Sequence, residues 1–204
     1  MSRRIIGLTG NIATGKSAVM RFAAERGALT IDADRVVHEL LDGDAAIQEA
    51  VAAAFGPGVR RAGGRIDRAA LGRLVFDDPA QLRRLEGILH PAVRAAIARR
   101  VAGSEAVVVV IEAIKLLEGP LVALCDQVWV TTCARETQLE RLRVCRGMDA
   151  ADAVARVDAQ NPQEEKVARA DVVIHTGGLL RETEAQVARA WEELTQRRKD
   201  AKMS

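Results

Sequence analysis

One octapeptide near the start of the chain combines residue types that could hold phosphate groups. It is Gly10-Asn11-Ile12-Ala13-Thr14-Gly15-Lys16-Ser17, which has the general form Gly-x-x-x-x-Gly-Lys-Ser. The glycines let successive backbone N–H groups point toward an anion, and a helix that begins at the loop adds further donors. Lys16 would reach the β- and γ-phosphates of ATP, and the Ser17 hydroxyl would coordinate Mg²⁺. The segment therefore predicts a phosphate-binding loop with Lys16 as a catalytic residue and Ser17 as the metal ligand.

The surroundings of this loop support the prediction. An apolar run at residues 5–8 predicts a strand before the loop, and residues 16–26 predict a helix after it. We expect the nucleotide to contact the following residues: Asn11, Ile12, Ala13, Thr14, Gly15, Lys16, Ser17 and Ala18. Asn11 and Ala13 replace glycines that are common in related loops, although Asn tolerates a left-handed backbone better than most residues. The sequence contains no Asn-Lys-x-Asp motif, which argues against a GTPase.

Two carboxylates follow predicted strands and could serve an acceptor group. Asp34 follows a strand at residues 29–32, and Glu112 follows the all-apolar run 106–111. The carboxyl ends of parallel strands lie at the same sheet edge, so both side chains are expected near the loop. Asp34 could accept a proton from an acceptor hydroxyl or hold a metal-bound water, but it could equally cap the next helix. Glu112 could lie near Mg²⁺ or be a helix-capping or surface acid.

Arginines are concentrated in the segment that follows the predicted fourth strand, at residues 127–131. They are Arg135, Arg141, Arg143 and Arg146. Helical spacing does not place all four on one face, and Arg141 shares its direction with Thr137 and Cys145. An arginine that covers the loop could stabilise charge on a transferring phosphoryl group, whereas a solvated basic face is the alternative.

The order of the predicted elements indicates an α/β fold. Short apolar runs alternate with longer helical stretches, which predicts a five-stranded parallel sheet flanked by helices. We expect His90-Pro91 to separate a helix at 79–89 from one at 92–101, and a short helix at 116–124. We predict a single domain over 1–204. Its parts are a core (about 1–41, 102–134 and 170–204), a helical substrate-side subdomain (about 42–101) and a lid (about 135–169).

The composition excludes several classes of protein. Of the 204 residues, 49% are hydrophobic and 28% are charged, which is typical of a globular chain. A net charge of +2 and an aromatic content of 2% argue against a nucleic-acid partner. The longest apolar run, 106–111, is too short to span a membrane, and no signal peptide is evident. The spacing of Cys125, Cys133 and Cys145 does not match a zinc site. We expect a cytoplasmic protein.

Several segments outside the loop resemble the dephospho-coenzyme A kinase family. The similar segments lie at 6–10, 16–17, 31–34, 66–71, 75–77, 85–94, 138–142, 159–160 and 170–174. The Asp-Arg-x-x-Leu block at 67–71 and the Leu-Glu-x-Ile-x-His-Pro block at 85–91 are much more specific than the loop. The resemblance covers nearly the whole chain. It implies a P-loop kinase three-layer fold and transfer of the γ-phosphoryl of ATP to the 3′-hydroxyl of dephospho-CoA, the last step of coenzyme A synthesis.

The resemblance also implies roles for particular residues. Asp34 matches the proposed general base, Arg141 matches the lid arginine, and Thr9 matches a residue at the acceptor site. The remaining residues implied on the substrate side are His38, His90, Arg94 and Glu112, the last of which could contact metal or substrate. His175 and Gly177 stand in a turn that lies near adenine in relatives.

Two alternatives stay open at this point. One is a related small-molecule or nucleoside monophosphate kinase. The other is an ATP-binding regulatory module without transferase activity, which departures from the family pattern at Asn11, Cys145 and His175 keep in view. We expect a monomer or weak homo-oligomer whose partners are ATP and dephospho-CoA, with no membrane partner.

Overall fold

Five strands form one sheet in the computed structural model, which describes residues 3–61, 63–76 and 78–200. The strands are β1 (Arg4–Thr9), β2 (Leu29–Asp32), β3 (Val108–Glu112), β4 (Gln127–Thr132) and β5 (Val172–His175). Their order in the sheet is β2-β3-β1-β4-β5. β1 pairs in parallel with β3 and β4, and β4 pairs in parallel with β5. The prediction of an α/β fold with a five-stranded parallel sheet is confirmed.

Helices occupy the connections between the strands along the chain. They are α1 (Lys16–Glu25), α2 (Ala33–Gly43), α3 (Ala45–Phe55), α4 (Arg68–Val75), α5 (Pro79–Ala102), α6 (Arg135–Arg146), α7 (Ala150–Asp158), α8 (Gln163–Val167) and α9 (Leu180–Asp200). Aspartates at positions 44, 67 and 78 cap α3, α4 and α5 by accepting backbone N–H groups of the first turn. No helix within the described ranges is both long and apolar enough to cross a membrane.

The described residues of 1–30 and 106–204 form one compact unit. Its core joins β1, β3, β4 and β5 to α1 and α9 through aliphatic side chains and two buried aromatics, Phe22 and Trp129. Trp129 pairs in register with Leu8 of β1, and the partly buried Trp191 of α9 packs against the same core. Burial of this face fixes the β1–α1 connection, which is where the phosphate loop lies.

The described residues of 31–105 form a second compact unit with a core of its own. That core consists of Leu41, Val51, Val59, Ile66, Leu71, Val75, Leu85 and Leu89. A 3₁₀ turn at Pro57–Val59 and an antiparallel bridge between Arg60 and Ile66 connect α3 to α4. The finer division into core, substrate-side subdomain and lid stays a prediction.

Two local predictions were wrong. α5 runs without interruption from Pro79 to Ala102, so His90-Pro91 does not separate two helices. Residues 116–124 do not form a helix either, because only a 3₁₀ turn forms there, at Pro120–Leu124. Pro120 has a fixed φ and no N–H, which disfavours a helix that continues through it from residue 116, and it stands at the start of the 3₁₀ turn.

Candidate active site

The phosphate loop connects β1 to α1, and its two motif glycines occupy backbone conformations that other residues rarely adopt. Gly10 has a φ of 149° and Gly15 a φ of 85°. A Cβ atom at Gly10 would lie 2.6 Å from the Thr131 carbonyl oxygen and 2.7 Å from Thr14 Oγ1. At Gly15 it would lie 3.1 Å from the Thr176 side chain. Both glycines are therefore needed for the shape of the loop as well as for its backbone angles.

The remaining left-handed position of the loop is Ala13, with a φ of 60°. It is the one non-glycine residue in the described ranges with a positive φ. Asn11 does not have a positive φ, so the tolerance of Asn for that conformation is not used at position 11. The departure from glycine at position 13 is thus the one that strains the backbone.

Lys16 and Glu112 come together beside the loop. Lys16 Nζ donates hydrogen bonds to the carbonyl oxygens of Gly10 (3.0 Å) and Asn11 (3.2 Å), and it lies 3.7 Å from Glu112 Oε1. Glu112 ends β3 opposite Leu8 of β1, and its side chain is only 15% exposed. The alternative of a surface acid at Glu112 is therefore wrong. Ser17 is exposed in the first turn of α1.

Thr9, at the end of β1, has a fully buried side chain. Its hydroxyl donates to the Ile114 carbonyl oxygen over 3.0 Å, which ties β1 to the segment after β3. The implied role of Thr9 at the acceptor site stays a prediction.

The Asn11 side chain joins the loop to the segment around α8. Asn11 Nδ2 donates to the carbonyl oxygen of Asn161 over 3.0 Å, and Asn11 Oδ1 accepts from Lys166 Nζ over 2.8 Å. Lys166 is only 5% exposed. Asn11 and Lys166 are far apart in the sequence, and neither position carries a local signal of the pairing.

The next loop residue, Ile12, is held through its backbone. Its N–H donates to Gln160 Oε1 (2.6 Å), and its carbonyl oxygen accepts from Gln138 Nε2 (2.8 Å). We refer to Gln138, Gln160, Asn161 and Lys166 together as the loop anchor. Sequence reasoning found Gln138 and Gln160 only as parts of family-like segments and assigned no role to any of the four.

Arg141 is the member of the arginine group that reaches the loop. Its Nη1 donates to the Ala13 carbonyl oxygen (3.1 Å) and to Thr176 Oγ1 (3.3 Å), and its Nη2 donates to the Thr176 carbonyl oxygen. Arg135 instead pairs with Asp158 over 2.7 Å at the surface. Arg143 and Arg146 are exposed.

Cys133 lies next to Arg141, with 3.7 Å between its sulfur and Arg141 Nη1. Burial raises the pKa of the Cys133 thiol, and the positive charge of Arg141 opposes this shift. The thiol therefore stays protonated near neutral pH and adds no charge to the loop.

A cavity of about 260 Å³ opens beside the loop. Its lining residues are Gly15, Ala18, Arg141, Thr176, Gly178, Leu180 and Thr183. The mixture of apolar and polar groups around one cation suits a flat, partly polar ring such as a nucleobase. Thr176 and Gly178 line it, whereas His175 is exposed. The His175 N–H donates to Gln186 Oε1, and its carbonyl oxygen accepts from Gln186 Nε2. Nucleotide contacts of His175 and Gly177 stay predictions.

The implied substrate-side residues of the second unit lie on α2 and α5, which pack on each other. Asp34 and His38 are exposed at four-residue spacing on α2, so they share one side of that helix. The half-buried His90 and the exposed Arg94 have the same spacing on α5. Asp32, not Asp34, caps α2 by accepting the Arg35 N–H over 3.0 Å. The alternative of a capping role for Asp34 is therefore wrong.

A parallel sheet whose first strand leads through the Gly10–Ser17 loop into a helix, with Lys16 and Arg141 at that loop, defines a nucleotide-binding protein of the P-loop class. The sequence profile of the family described as dephospho-CoA kinase matches residues 4–182. The chain belongs to the dephospho-CoA kinase family.

Individual relatives agree with this assignment. The dephospho-CoA kinase of Symbiobacterium thermophilum is 46% identical over 92% of this chain and 80% of its own length. The dephospho-CoA kinase of Geobacter sulfurreducens is 40% identical over 92% of this chain and 96% of its own length. Among solved structures, TT1252 from Thermus thermophilus superposes with a TM-score of 0.83 and 32% identity, covering 95% of this chain and 99% of its own. Dephospho-CoA kinase from Campylobacter jejuni superposes with a TM-score of 0.59 and 25% identity, covering 94% of this chain and 97% of its own.

Proposed function

We propose that this protein transfers the γ-phosphoryl group of ATP to the 3′-hydroxyl of the dephospho-CoA ribose, giving coenzyme A and ADP. The observation that carries the proposal is the buried Lys16, held at the N-terminus of α1 beside Glu112 in a chain of this family. An ammonium group fixed in this place suits the charge that develops on a transferring phosphoryl group.

On the nucleotide side, the loop N–H groups and the N-terminus of α1 bind the β-phosphate. Lys16 bridges the β- and γ-phosphates, and Arg141 adds a second positive charge at the loop. The cavity between Arg141 and Leu180 receives the adenine ring. This arrangement keeps the triphosphate extended along the loop, with its γ-phosphorus at the carboxyl edge of the sheet.

Magnesium fits the groups that this site offers. No cluster of three or more His, Cys, Asp or Glu side chains in the described ranges is arranged to hold a metal. Mg²⁺ commonly takes one or two protein oxygens and completes its shell with phosphates and water. Ser17 would supply a hydroxyl oxygen, and Glu112 would supply a carboxylate to the metal or to its waters. Bound there, the ion would offset charge on the β- and γ-phosphates.

On the acceptor side, Asp34 is the general base. Its carboxylate takes the proton of the 3′-hydroxyl as the ribose oxygen attacks the γ-phosphorus. The new oxygen–phosphorus bond forms while the bond from the γ-phosphorus to ADP breaks on the opposite side. The groups proposed to hold dephospho-CoA are Thr9, His38, His90 and Arg94.

The proposal is tested with ATP, Mg²⁺ and a panel of acceptors, with 3′-phosphorylated product as the readout. Dephospho-CoA should consume ATP efficiently, whereas nucleoside monophosphates should not. Asp34→Asn should lower kcat by at least ~10²-fold, the low end for loss of a general base. Asp42→Asn, the same change at an exposed position of α2, is the matched control and should leave turnover nearly unchanged.

Near-normal turnover of Asp34→Asn would exclude Asp34 as the base. ATP binding without product from any acceptor would favour the regulatory module instead. A cytoplasmic location and a monomeric or weakly oligomeric state stay predictions.

A further inference from the structure

Lys166 is a buried cation that the mechanism above does not use. Its side chain is 5% exposed, and its ammonium group donates to the Asn11 side-chain oxygen over 2.8 Å. None of the ion pairs among the described residues includes Lys166. A buried ammonium group whose partner is a neutral amide costs free energy, so stability alone gives no reason for a lysine here.

The residue that Lys166 holds is the one that also holds Lys16. The Asn11 carbonyl oxygen accepts hydrogen bonds from Lys16 Nζ (3.2 Å), Thr14 Oγ1 (2.8 Å) and the Thr14 N–H (3.3 Å). The Asn11 side chain meanwhile accepts from Lys166. Asn11 therefore contacts two ammonium groups through one residue. Glu112 lies 3.7 Å from Lys16 Nζ and offsets that charge, whereas the Asn11 amide beside Lys166 is neutral.

We propose that Lys166 is a positioning residue for the phosphates of ATP. It fixes the Asn11 side chain, and with it the first half of the phosphate loop, and it keeps a positive charge beneath the loop. A polyphosphate bound by the loop is the anion that offsets this charge. The inference rests on the proposed function only in taking this loop as the ATP site.

The first test compares Lys166→Met with wild type in ADP binding by calorimetry and in steady-state kinetics. Methionine keeps most of the buried volume while it removes the charge and the hydrogen bond. ADP affinity should fall about tenfold or more, the effect of losing one charged hydrogen bond. The KM for ATP should rise by a similar factor, and the KM for dephospho-CoA should change by less than about twofold.

Arg169→Met is the matched control, because it removes one positive charge from the same segment at an exposed position. It should leave ADP affinity nearly unchanged. A general loss of positive potential would weaken both variants alike and would contradict a specific role for Lys166.

The second test asks whether Lys166 acts through Asn11. Asn11→Gly removes the link without adding bulk, and the double variant closes a thermodynamic cycle. The loss of ADP affinity in the double variant should be clearly smaller than the sum of the two single losses, because both changes break the Lys166–Asn11 hydrogen bond. Asn11→Gly also removes the Asn11–Asn161 hydrogen bond, so its single loss is not expected to equal that of Lys166→Met. Strictly additive losses would overturn the proposal.

Two further outcomes would also overturn it. One is wild-type ADP affinity in a folded Lys166→Met protein. The other is a lowered melting temperature with equal increases in the KM values of both substrates, as a loosened fold would give. ADP binding is measured without turnover. Failure to phosphorylate dephospho-CoA would therefore contradict the proposed function, but the effect of Lys166→Met on ADP affinity could still be interpreted.

Discussion

Ala13 is the residue at which the phosphate loop departs furthest from a relaxed backbone. Its φ of 60° costs an L-residue other than glycine roughly 1–2 kcal/mol. Its carbonyl oxygen accepts the Arg141 hydrogen bond, so the strained peptide is held by a side chain proposed to meet the phosphates. Strain of this kind persists where surrounding groups determine the conformation.

Replacement of Ala13 by glycine should therefore stabilise the fold. Relief of roughly 1–2 kcal/mol of strain, less about 0.5–1 kcal/mol for the greater entropy of unfolded glycine, predicts a net gain of about 0.5–1 kcal/mol. Urea denaturation of Ala13→Gly against wild type measures it. Ala185→Gly, at an exposed helical position, should lose about 1 kcal/mol. A loss of stability in both variants would show that Ala13 is not strained.

At this scale the position of the phosphate loop could be predicted from the sequence, whereas the roles of its residues stay predictions. Lys16, Ser17 and the two motif glycines follow from spacing, because the loop forms within one short segment. Lys166 does not follow, because its partner lies at the other end of the chain and its burial depends on packing of α8. Among the four arginines after β4, only the family resemblance singled out Arg141 as the one expected at the loop.

α5 shows how packing overrides a local signal at the scale of elements. Its buried residues Leu85, Leu89, Val93 and Ile97 recur every four positions on both sides of Pro91. A proline in a helix interior costs a hydrogen bond, but the continuous apolar stripe keeps the helix on its neighbours. The sequence carried both signals, and the prediction gave the proline too much weight.

The interior position of Pro91 leads to a prediction about α5. Pro91→Ala restores a backbone N–H and removes the ring, so the free energy of unfolding should rise by about 1–2 kcal/mol. The gain is smaller than the full cost of a proline inside a helix, because alanine also raises the conformational entropy of the unfolded chain. Pro79→Ala is the control, since proline is favourable at the first position of a helix, and it should give no gain. Equal effects of the two changes in denaturant titrations would contradict this account.

At the scale of the whole molecule, the chain folds as two compact units with separate cores. The five-stranded parallel sheet was predictable, because apolar runs and helical stretches alternate along the chain, but no order of strands was predicted. The loop anchor was not predictable, because it assembles side chains from α6, α8 and the connection after α7, together with one backbone carbonyl of that connection, around one loop. What the sequence lacks is the tertiary arrangement that brings these distant polar groups together.

The three cysteines provide a test of packing in the sheet unit. The half-buried Cys125 would lie 2.7 Å from a Cβ atom at Gly7, and burial, with a smaller contribution from Asp126, raises its pKa to about 11. At pH 8 only about one Cys125 in 10³ is a thiolate, so iodoacetamide should modify it far more slowly than the exposed Cys145. Each rise of one pH unit below the pKa should speed Cys125 labelling about tenfold.

Mass spectrometry of timed reactions measures these rates, and Cys145→Ser removes the fast signal. Unfolding in urea should bring the rates of all three thiols together. Comparable labelling of Cys125 and Cys145 in the folded protein would contradict the packing described for β1.

The placement of Trp129 and Trp191 has an optical consequence. Both indoles belong to the sheet unit, and the chain contains no tyrosine. Tryptophan fluorescence therefore reports the environment of the sheet unit. It does not report residues 31–105, whose aromatic side chains are Phe55 and Phe76. An unfolding curve recorded by fluorescence alone would miss separate melting of that helical unit, whereas far-ultraviolet circular dichroism would record it. Disagreement between the two curves would then distinguish sequential from concerted unfolding.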